Sequence, residues 1–161
     1  MVPWRTFAES NPTLAAHGQR LLLLGADYGD FLAGLAYLAT IRSDGGPRIH
    51  PISPALLDGR LYAFILTTSP KYADLRRDGR YALHSFPHSL AEDTFNDEEL
   101  YVTGTAIMVE DPMIRQAVAD ACGDSVEAGV VFELLLERVM HKGRAHGRAI
   151  YTTWKASHQQ Q

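Results

Sequence analysis

The triplet Ser69, Pro70 and Lys71 is the clearest place in this sequence where residue types and spacing could bind an anion. Ser69 suits the capping position of a helix and Pro70 its first position, so Lys71 would lie in the first helical turn. There its ammonium would stand beside free backbone N–H groups, an arrangement that favours phosphate. The same spacing is also typical of an ordinary cap followed by a solvated lysine, and taken alone it favours that simpler interpretation.

Other residues with chemical potential form weaker patterns. Cys122 is the only cysteine, which excludes an internal disulfide, and at the end of an amphipathic helix it is expected to be buried and inert. His141 and His146 are five residues apart with no carboxylate in metal-ligand spacing, which favours a solvated turn. Residues 143–147 lack the lysine and hydroxyl of a phosphate-binding loop. No nucleophile, base and acid stand in a catalytic pattern, so no catalytic side chain is predicted.

Length and composition are typical of one globular domain. The chain has 161 residues, of which 46% are hydrophobic and 21% charged, and its formal net charge is −4. A mildly acidic chain is not typical of a dedicated nucleic-acid binder. The apolar runs are too short to cross a bilayer, and the first residues lack the apolar core of a signal peptide. We expect one cytoplasmic domain over residues 1–161 with a disordered polar tail at 156–161, and neither nucleic acid nor membrane as partner.

The segments before the Ser69 triplet indicate antiparallel strands joined by tight turns. Residues 35–41 are apolar and typical of a buried strand, and the Asp-Gly-Gly turn at 44–46 favours a hairpin. Residues 47–57 alternate in polarity, and Asp-Gly at 58–59 predicts a second hairpin before a strand at 60–66. Two tight turns would therefore join three adjacent strands in a meander that leads to the helix carrying Lys71.

The remaining segments complete a barrel. They predict helices at 12–24, 70–77 and 112–122, and further strands at 81–86, 99–109, 132–139 and 149–154. Asn11 and Asp111 are expected to cap two of the helices. The pattern over 132–139 fits a helix as well as a strand, and we favour a strand. The predicted fold is mainly β, a barrel of about six strands with peripheral helices.

A series of short motifs runs along this architecture. The motifs are Leu-Ala-Thr-Ile-Arg at 38–42, Asp-Gly at 44–45, Pro-Arg at 47–48, Pro-Ile-Ser at 51–53, Asp-Gly-Arg-Leu-Tyr at 58–62, Ser-Pro-Lys at 69–71, Asp-Leu at 74–75, Asp-Gly-Arg at 78–80, Leu83, Tyr-Val-Thr-Gly-Thr-Ala at 101–106 and Asp-Pro at 111–112. In this order and spacing they resemble the pyridoxamine-phosphate-oxidase-like family of FMN-binding split barrels. The resemblance covers roughly residues 10–115, and the C-terminal third only loosely.

The resemblance implies a six-stranded antiparallel split barrel of Greek-key type that forms a homodimer, with FMN in a groove between the subunits. The positions that match the family's cofactor site are His50, Ile52 and Ser53 of the second strand, Phe64 and Ile65 of the third, and Ser69 and Lys71 of the turn. Ser69 and Lys71 would then hold the flavin phosphate. Alternate residues of the second strand would supply backbone amides and an apolar wall for the isoalloxazine ring.

Two departures separate the chain from true pyridoxamine phosphate oxidases. Those enzymes carry a basic pair in the second strand, which is matched here only by Arg48 and His50, and an Arg- and His-bearing substrate motif that this chain lacks after Trp154. We therefore expect an FMN-dependent oxidoreductase of unknown substrate rather than an enzyme of vitamin B6 oxidation. The wider family also suggests a non-enzymatic carrier of flavin, deazaflavin or haem, and a further alternative is an interaction barrel with an empty groove.

His50 and His84 are the histidines expected to face the groove. There they could contact the flavin phosphate or ligate a haem iron. The alternative for each is a structural histidine whose ring nitrogens are satisfied by hydrogen bonds.

Overall fold

The structure is a computed structural model that describes residues 1–23, 34–85 and 98–157. Within these ranges the helices are α1 (Trp4–Ser10), α2 (Pro12–Leu23), α3 (Pro70–Arg77) and α4 (Pro112–Cys122). The strands are β1 (Ala36–Ile41), β2 (Pro47–Ile52), β3 (Pro54–Leu57), β4 (Arg60–Leu66), β5 (Arg80–Ser85), β6 (Glu99–Met108), β7 (Gly129–Ala145) and β8 (Arg148–Lys155). The predicted helix end at residue 24, strand end at residue 86 and last four tail residues lie outside the described residues.

Strand order shows how the sheet becomes a barrel. The strands are antiparallel in the order β2-β1-β5-β6-β7-β4-β3, and β8 pairs with β7. The two ends of this order, β2 and β3, are separated in the chain by Ser53 alone. The sheet therefore closes on itself through this segment, and the predicted mainly β split barrel with peripheral helices is confirmed.

The predicted meander of three adjacent strands is wrong in its pairing. The segment predicted as one strand at 47–57 divides at Ser53, so that β2 pairs with β1 while β3 pairs with β4 at the opposite end of the sheet. Alternating polarity indicates which side chains share a face, but it does not indicate which strand lies alongside. Strand β8 corresponds to the segment predicted at 149–154, so the division at Ser53 turns seven predicted strand segments into the eight strands of the described residues, more than the barrel of about six that was expected.

Two hydrophobic clusters cover both faces of β4. The larger cluster fills the barrel beneath α1 and α2, and the smaller one packs under α4. The side chains of Ile65 and Phe64 belong to the larger and the smaller cluster respectively, as expected for neighbours that point to opposite faces of a strand. β4 is therefore a central buried strand, consistent with its uninterrupted apolar sequence.

The predicted helix caps agree with the structure at two positions. The Leu14 N–H donates to Asn11 Oδ1 at 3.2 Å. The N–H groups of Met113 and Ile114 donate to Asp111 Oδ1 at 2.8 and 3.2 Å. Helix α1, in contrast, was not indicated by a capping pattern in the sequence; it is fixed by burial of Trp4 and Phe7 against the barrel.

Strand β7 is longer than its local sequence predicts. It continues through the predicted break at 141–144 because these residues pair with β8, and the turn lies at His146 and Gly147, whose φ angles are 50° and 76°. The ordered chain also extends further than expected at the C-terminus. Ala156 is buried, and its N–H donates to Glu137 O at 2.8 Å.

We predict that Gly104→Ala will strongly destabilise the barrel. Gly104 lies at the irregularity between β6 and β7, and a Cβ there would stand 1.8 Å from the Leu135 carbonyl oxygen, so backbone must move. We expect a loss of about 3 kcal/mol or more in the free energy of unfolding, measured by urea denaturation. Thr103→Ala, at the exposed neighbouring position, is the control and should cost less than about 1 kcal/mol. Equal losses in the two variants would contradict the close approach.

Candidate anion and cofactor site

Strand β2 turns Arg48 and His50 toward one face of the barrel wall. They are the cross-strand partners of Thr40 and Leu38 on β1, and both of those side chains are buried. Directly opposed residues of paired strands share a face, so Arg48 and His50 lie on the inner side. Ile49 points outward and is 67% exposed. The alternation predicted for this strand is therefore confirmed over its length.

Asp74 joins this inner face to helix α3, which packs against β1 and β4. Its side chain is buried, with a residue exposure of 3%. Arg48 Nε and Thr40 Oγ1 donate to Asp74 Oδ2 at 2.7 and 2.9 Å, and an Arg77 guanidinium nitrogen lies 3.6 Å from Oδ1. One carboxylate therefore holds α3 against both β1 and β2.

The surroundings of Asp74 keep it ionised. Burial alone would raise the pKa of the carboxyl, but the hydrogen bonds from Arg48 and Thr40 and the positive charges of Arg48 and Arg77 outweigh it. The pKa therefore lies below its ordinary value of 3.8. A buried, ionised and hydrogen-bonded carboxylate gives the helix a defined position on the sheet.

His50 lies near this network but is not satisfied by it. Its Nε2 atom is buried and has no hydrogen-bond partner among the described residues. Burial lowers the pKa of His50 below 6.5, and the charges of Lys71 and Arg48 lower it further, against a smaller opposing effect of Asp74. A buried nitrogen without a partner is costly, so a ligand or an ion that satisfied it would be favoured at this position.

Lys71 and Ser69 complete the cationic side of the site. Lys71 is half-buried at the start of α3, makes no ion pair within the described part of the chain, and has its pKa lowered by burial. Ser69 is the capping residue of α3, with extended backbone at φ −80° and ψ 135°, yet its hydroxyl makes no capping bond to the helix. The geometry therefore does not match the simple interpretation of Ser69 as a side-chain cap.

The other four predicted cofactor residues do not all turn their side chains to this place. Ile52 and Ile65 are buried in the larger core cluster, which leaves only their backbone groups for a ligand. Phe64 packs in the smaller cluster under α4. Ser53 lies at the break between β2 and β3, and its carbonyl accepts a hydrogen bond from Cys122 Sγ at 3.7 Å.

The expectation that His84 faces the same groove as His50 is wrong. His84 pairs with Tyr37, whose side lies opposite to the core residues Leu38 and Leu83. Its Nδ1 is 2.5 Å from Ser85 O, and its ring meets the edge of Tyr101 at a centroid distance of 4.2 Å. The environment of His84 is that of a structural histidine.

The charge balance of the assembled residues suits an anion. Arg48, Lys71 and Arg77 are cationic and Asp74 is the carboxylate among them, so positive charge is in surplus. A phosphate monoester carries about −1.5 to −2 charges near neutral pH and offers three acceptor oxygens. The Lys71 ammonium and the Ser69 hydroxyl are donors of the right kind.

The part that Asp74 plays was not predicted from the sequence. A signal was present, because Asp74 follows Lys71 by three residues and so lies on a neighbouring position of the same helix face. It could not be interpreted from the sequence, because its partners Thr40 and Arg48 come from two strands. The prediction of a solvated turn at His141 is also wrong: the residue is 8% exposed, lies within β7, and contacts Glu98.

A separate groove of about 950 Å³ lies near the N-terminus and β8, with Thr6, Arg80 and Trp154 among its lining residues. None of the seven predicted cofactor residues lines it. Arg80 is already paired with Asp78 at 2.6 Å. We therefore place the candidate site at α3 and β2.

Several solved structures share the fold of this chain. A haem-binding protein from Mycobacterium smegmatis aligns with a TM-score of 0.61 and 20% identity over 86% of this chain, which spans 57% of that protein. An F420 reductase aligns with a TM-score of 0.53 and 18% identity, covering 75% of this chain and 94% of that one. A putative pyridoxamine 5'-phosphate oxidase from Listeria innocua gives 0.52 and 20%, covering 66% and 86%.

These likenesses define the class of fold: the chain is a split β-barrel of the kind found in a pyridoxamine-phosphate-oxidase-like protein, an F420 reductase and haem-binding proteins. The fold that the sequence motifs imply is thereby confirmed. No protein-family model and no curated protein matches the sequence. Among the described residues no helix is long and apolar enough to cross a membrane.

We predict that Asp74→Asn will destabilise the protein by about 3–5 kcal/mol at pH 7, because breaking a buried ion pair leaves Arg48 without its charged partner. The depressed pKa of Asp74 means that its contribution is complete above pH 3.8 and is lost as the pH falls below that value. The difference between wild type and variant, measured by urea denaturation, should therefore shrink in acid.

Asp44→Asn is the matched control for this experiment. Asp44 also pairs with an arginine, Arg42, but both side chains are about half exposed, so little change is expected. A loss for Asp74→Asn no larger than that of Asp44→Asn would show that the Asp74 network does not hold α3 in place.

Proposed function

We propose that this chain binds FMN, with the flavin phosphate held at the start of α3 by Lys71 and Ser69 and next to His50 of β2. The observation that supports this most is the combination of a half-buried lysine without an ion pair in the described residues and a buried His50 Nε2 without a partner. An anionic group at this place would satisfy both. The isoalloxazine ring of FMN would contact backbone groups near Ile52 and Ser53. It would also lie near Phe64 and Ile65.

Bound FMN would supply hydride or single-electron transfer, and the protein would supply binding, orientation and protection from water. We therefore propose a flavin-dependent oxidoreductase of unknown substrate, located in the cytoplasm. Vitamin B6 oxidation is not proposed. Of the two residues that match the basic pair of those enzymes, Arg48 is engaged by Asp74, and the remaining His50 has its pKa lowered toward the neutral form.

A carrier of haem or of a deazaflavin is the second candidate. The supporting observation is again His50, because a neutral imidazole with a buried, unpartnered Nε2 is chemically suited to an iron as well as to a phosphate. The structural likeness to a haem-binding protein and to an F420 reductase is consistent with either cofactor on this fold.

We also propose that the functional unit is a homodimer with the cofactor in the subunit interface. Ile49 on the outer face of β2 and Ile150 and Tyr151 on β8 are exposed apolar side chains that a second copy could cover. Light scattering should give twice the mass of the chain, and a strict monomer that binds cofactor fully would contradict the shared groove.

The visible spectrum separates the cofactor candidates. We expect purified protein, incubated with FMN and freed of excess by gel filtration, to retain a flavin absorption band. A Soret band in the protein as purified would favour the haem alternative. A colourless protein that takes up no added FMN would exclude the primary proposal.

The phosphate assignment is tested by comparing FMN with riboflavin, which lacks the phosphate. We expect Lys71→Ala to weaken FMN binding about ten- to hundredfold, the value of one charge-assisted hydrogen bond. Riboflavin affinity should change by less than about threefold, since the contact to Lys71 is absent. Affinities are measured by flavin fluorescence titration.

Lys155→Ala, at an exposed lysine of β8, controls for the general loss of positive charge and should leave both affinities unchanged. Lys71→Arg keeps the charge and should recover part of the FMN affinity. If Lys71→Ala weakened FMN and riboflavin equally, the lysine would not contact the phosphate, and the assignment would be refuted.

A further inference from the structure

A second polar cluster lies apart from the candidate cofactor site, where α2, the first residue before β6, and β7 meet. It consists of His17, Glu98 and His141, with one ligand-type atom of each residue within 4.8 Å of the others. His17 Nδ1 is 3.2 Å and His141 Nε2 is 2.7 Å from the same oxygen, Glu98 Oε1. The two imidazole rings are stacked, with centroids 4.4 Å apart and an angle of 19° between planes.

Three nitrogen atoms converge on one oxygen of Glu98. An Arg20 guanidinium nitrogen lies 2.5 Å from Oε1, beside the two imidazole nitrogens. A carboxylate oxygen has two lone pairs. A single cation bound to Oε1 and to the lone pairs of both imidazole nitrogens would replace these three contacts.

The distances are close to those around a bound transition metal. With bonds of about 2.0–2.1 Å to nitrogen and oxygen, adjacent ligand atoms of a tetrahedral zinc site lie about 3.3 Å apart. The separation of His17 and Glu98 already has this value, and that of His141 and Glu98 would need to lengthen by a few tenths of an ångström. His17 is on the exposed side of the cluster and His141 is buried. The two rings are nearly parallel, so the more exposed ring of His17 must turn before both lone pairs point at one ion.

Arg20 is the competitor for the same carboxylate. Its side chain is 44% exposed, so it can leave Glu98 and remain hydrated. A divalent ion would then replace one guanidinium charge with two, next to two neutral imidazoles. The ligand set of two imidazoles and one carboxylate suits borderline ions such as Zn²⁺ and Co²⁺ better than Ca²⁺ or Mg²⁺, which prefer all-oxygen sites.

We propose that His17 Nδ1, Glu98 and His141 Nε2 bind one divalent transition-metal ion of the zinc class, with a solvent molecule in the fourth position. The ion would tie α2 to β7 and to the beginning of β6. This inference does not depend on FMN binding, because none of the residues involved belongs to the α3 site.

The test is a titration of untagged protein with Co²⁺, followed by displacement with Zn²⁺. We expect saturation at one ion per chain, with the visible absorption of a four- or five-coordinate Co²⁺ centre that Zn²⁺ abolishes. Because imidazole must lose its proton to bind a metal, acidification should release the ion. A flat titration, or binding without a distinct absorption, would overturn the proposal.

Variants identify the ligands. His17→Ala removes an exposed ligand and is not expected to unfold the protein, and Glu98→Gln keeps the size of the side chain but loses the charge. Residues that only hydrogen-bond to metal ligands typically change metal affinity about 10- to 100-fold when mutated. Because His17 and Glu98 would bind the ion directly, each variant should weaken metal binding by more than this. Arg20→Ala should strengthen binding or leave it unchanged, since it removes the competitor.

His146→Asn is the matched control. It removes an exposed imidazole from the β7–β8 turn with a residue that tolerates the positive φ found there. Metal affinity should stay at the wild-type value. Retained binding in His17→Ala, or an equal loss in His146→Asn, would place the metal elsewhere and refute the assignment.

Discussion

The buried carboxylate of Asp74 is the interaction on which the arrangement of the candidate site depends. It accepts from Thr40 of β1 and Arg48 of β2, and it lies near Arg77 one turn further along its own helix. Removing any charge from water is costly, and only this dense set of donors makes the burial tolerable. Because the network joins two strands to one helix, it fixes where the start of α3, and therefore Lys71, stands relative to His50.

The same network divides the cations into two groups. Arg48 and Arg77 both pair with Asp74, so they belong to the network that holds α3 in place. Lys71 makes no ion pair in the described residues, and the buried Nε2 of His50 has no hydrogen-bond partner there. Burial and, after it, the positive charge of Lys71 lower the pKa of His50. Burial pushes both toward their neutral forms, and a bound phosphate would reverse this by offering negative charge. The polar groups of such a site are fully satisfied only when the ligand is bound, so the ligand stabilises it.

Much of this could be predicted from local sequence. The capping residues Asn11 and Asp111, the hairpin turns, the alternation of β2 and the helix at Pro70 follow from rules that act over a few residues, and the structure agrees with them. The order of the motifs along the chain predicted the fold class, which no single motif could do. The split at Ser53 was not predictable, because the choice of partner strand depends on barrel closure rather than on the polarity of residues 47–57.

The candidate site shows the same limit. Ser69 and Lys71 could be found because only Pro70 separates them in the chain, whereas Asp74 became interpretable only when β1 and β2 were placed beside it. The same holds for His141, whose neighbours in sequence predict a turn, whereas pairing with β6 and β8 keeps it in a strand and brings it to Glu98. Its partner His17 comes from a helix more than a hundred residues away, which no local spacing rule detects.

A crystal structure of the protein with bound FMN would locate the phosphate. We expect the phosphate oxygens to lie within hydrogen-bonding distance of Lys71 Nζ and Ser69 Oγ, next to His50, while the Asp74 network stays in place. Bound FMN whose phosphate contacts neither Lys71 nor Ser69, or a cofactor seated in the groove beside Trp154, would contradict this expectation.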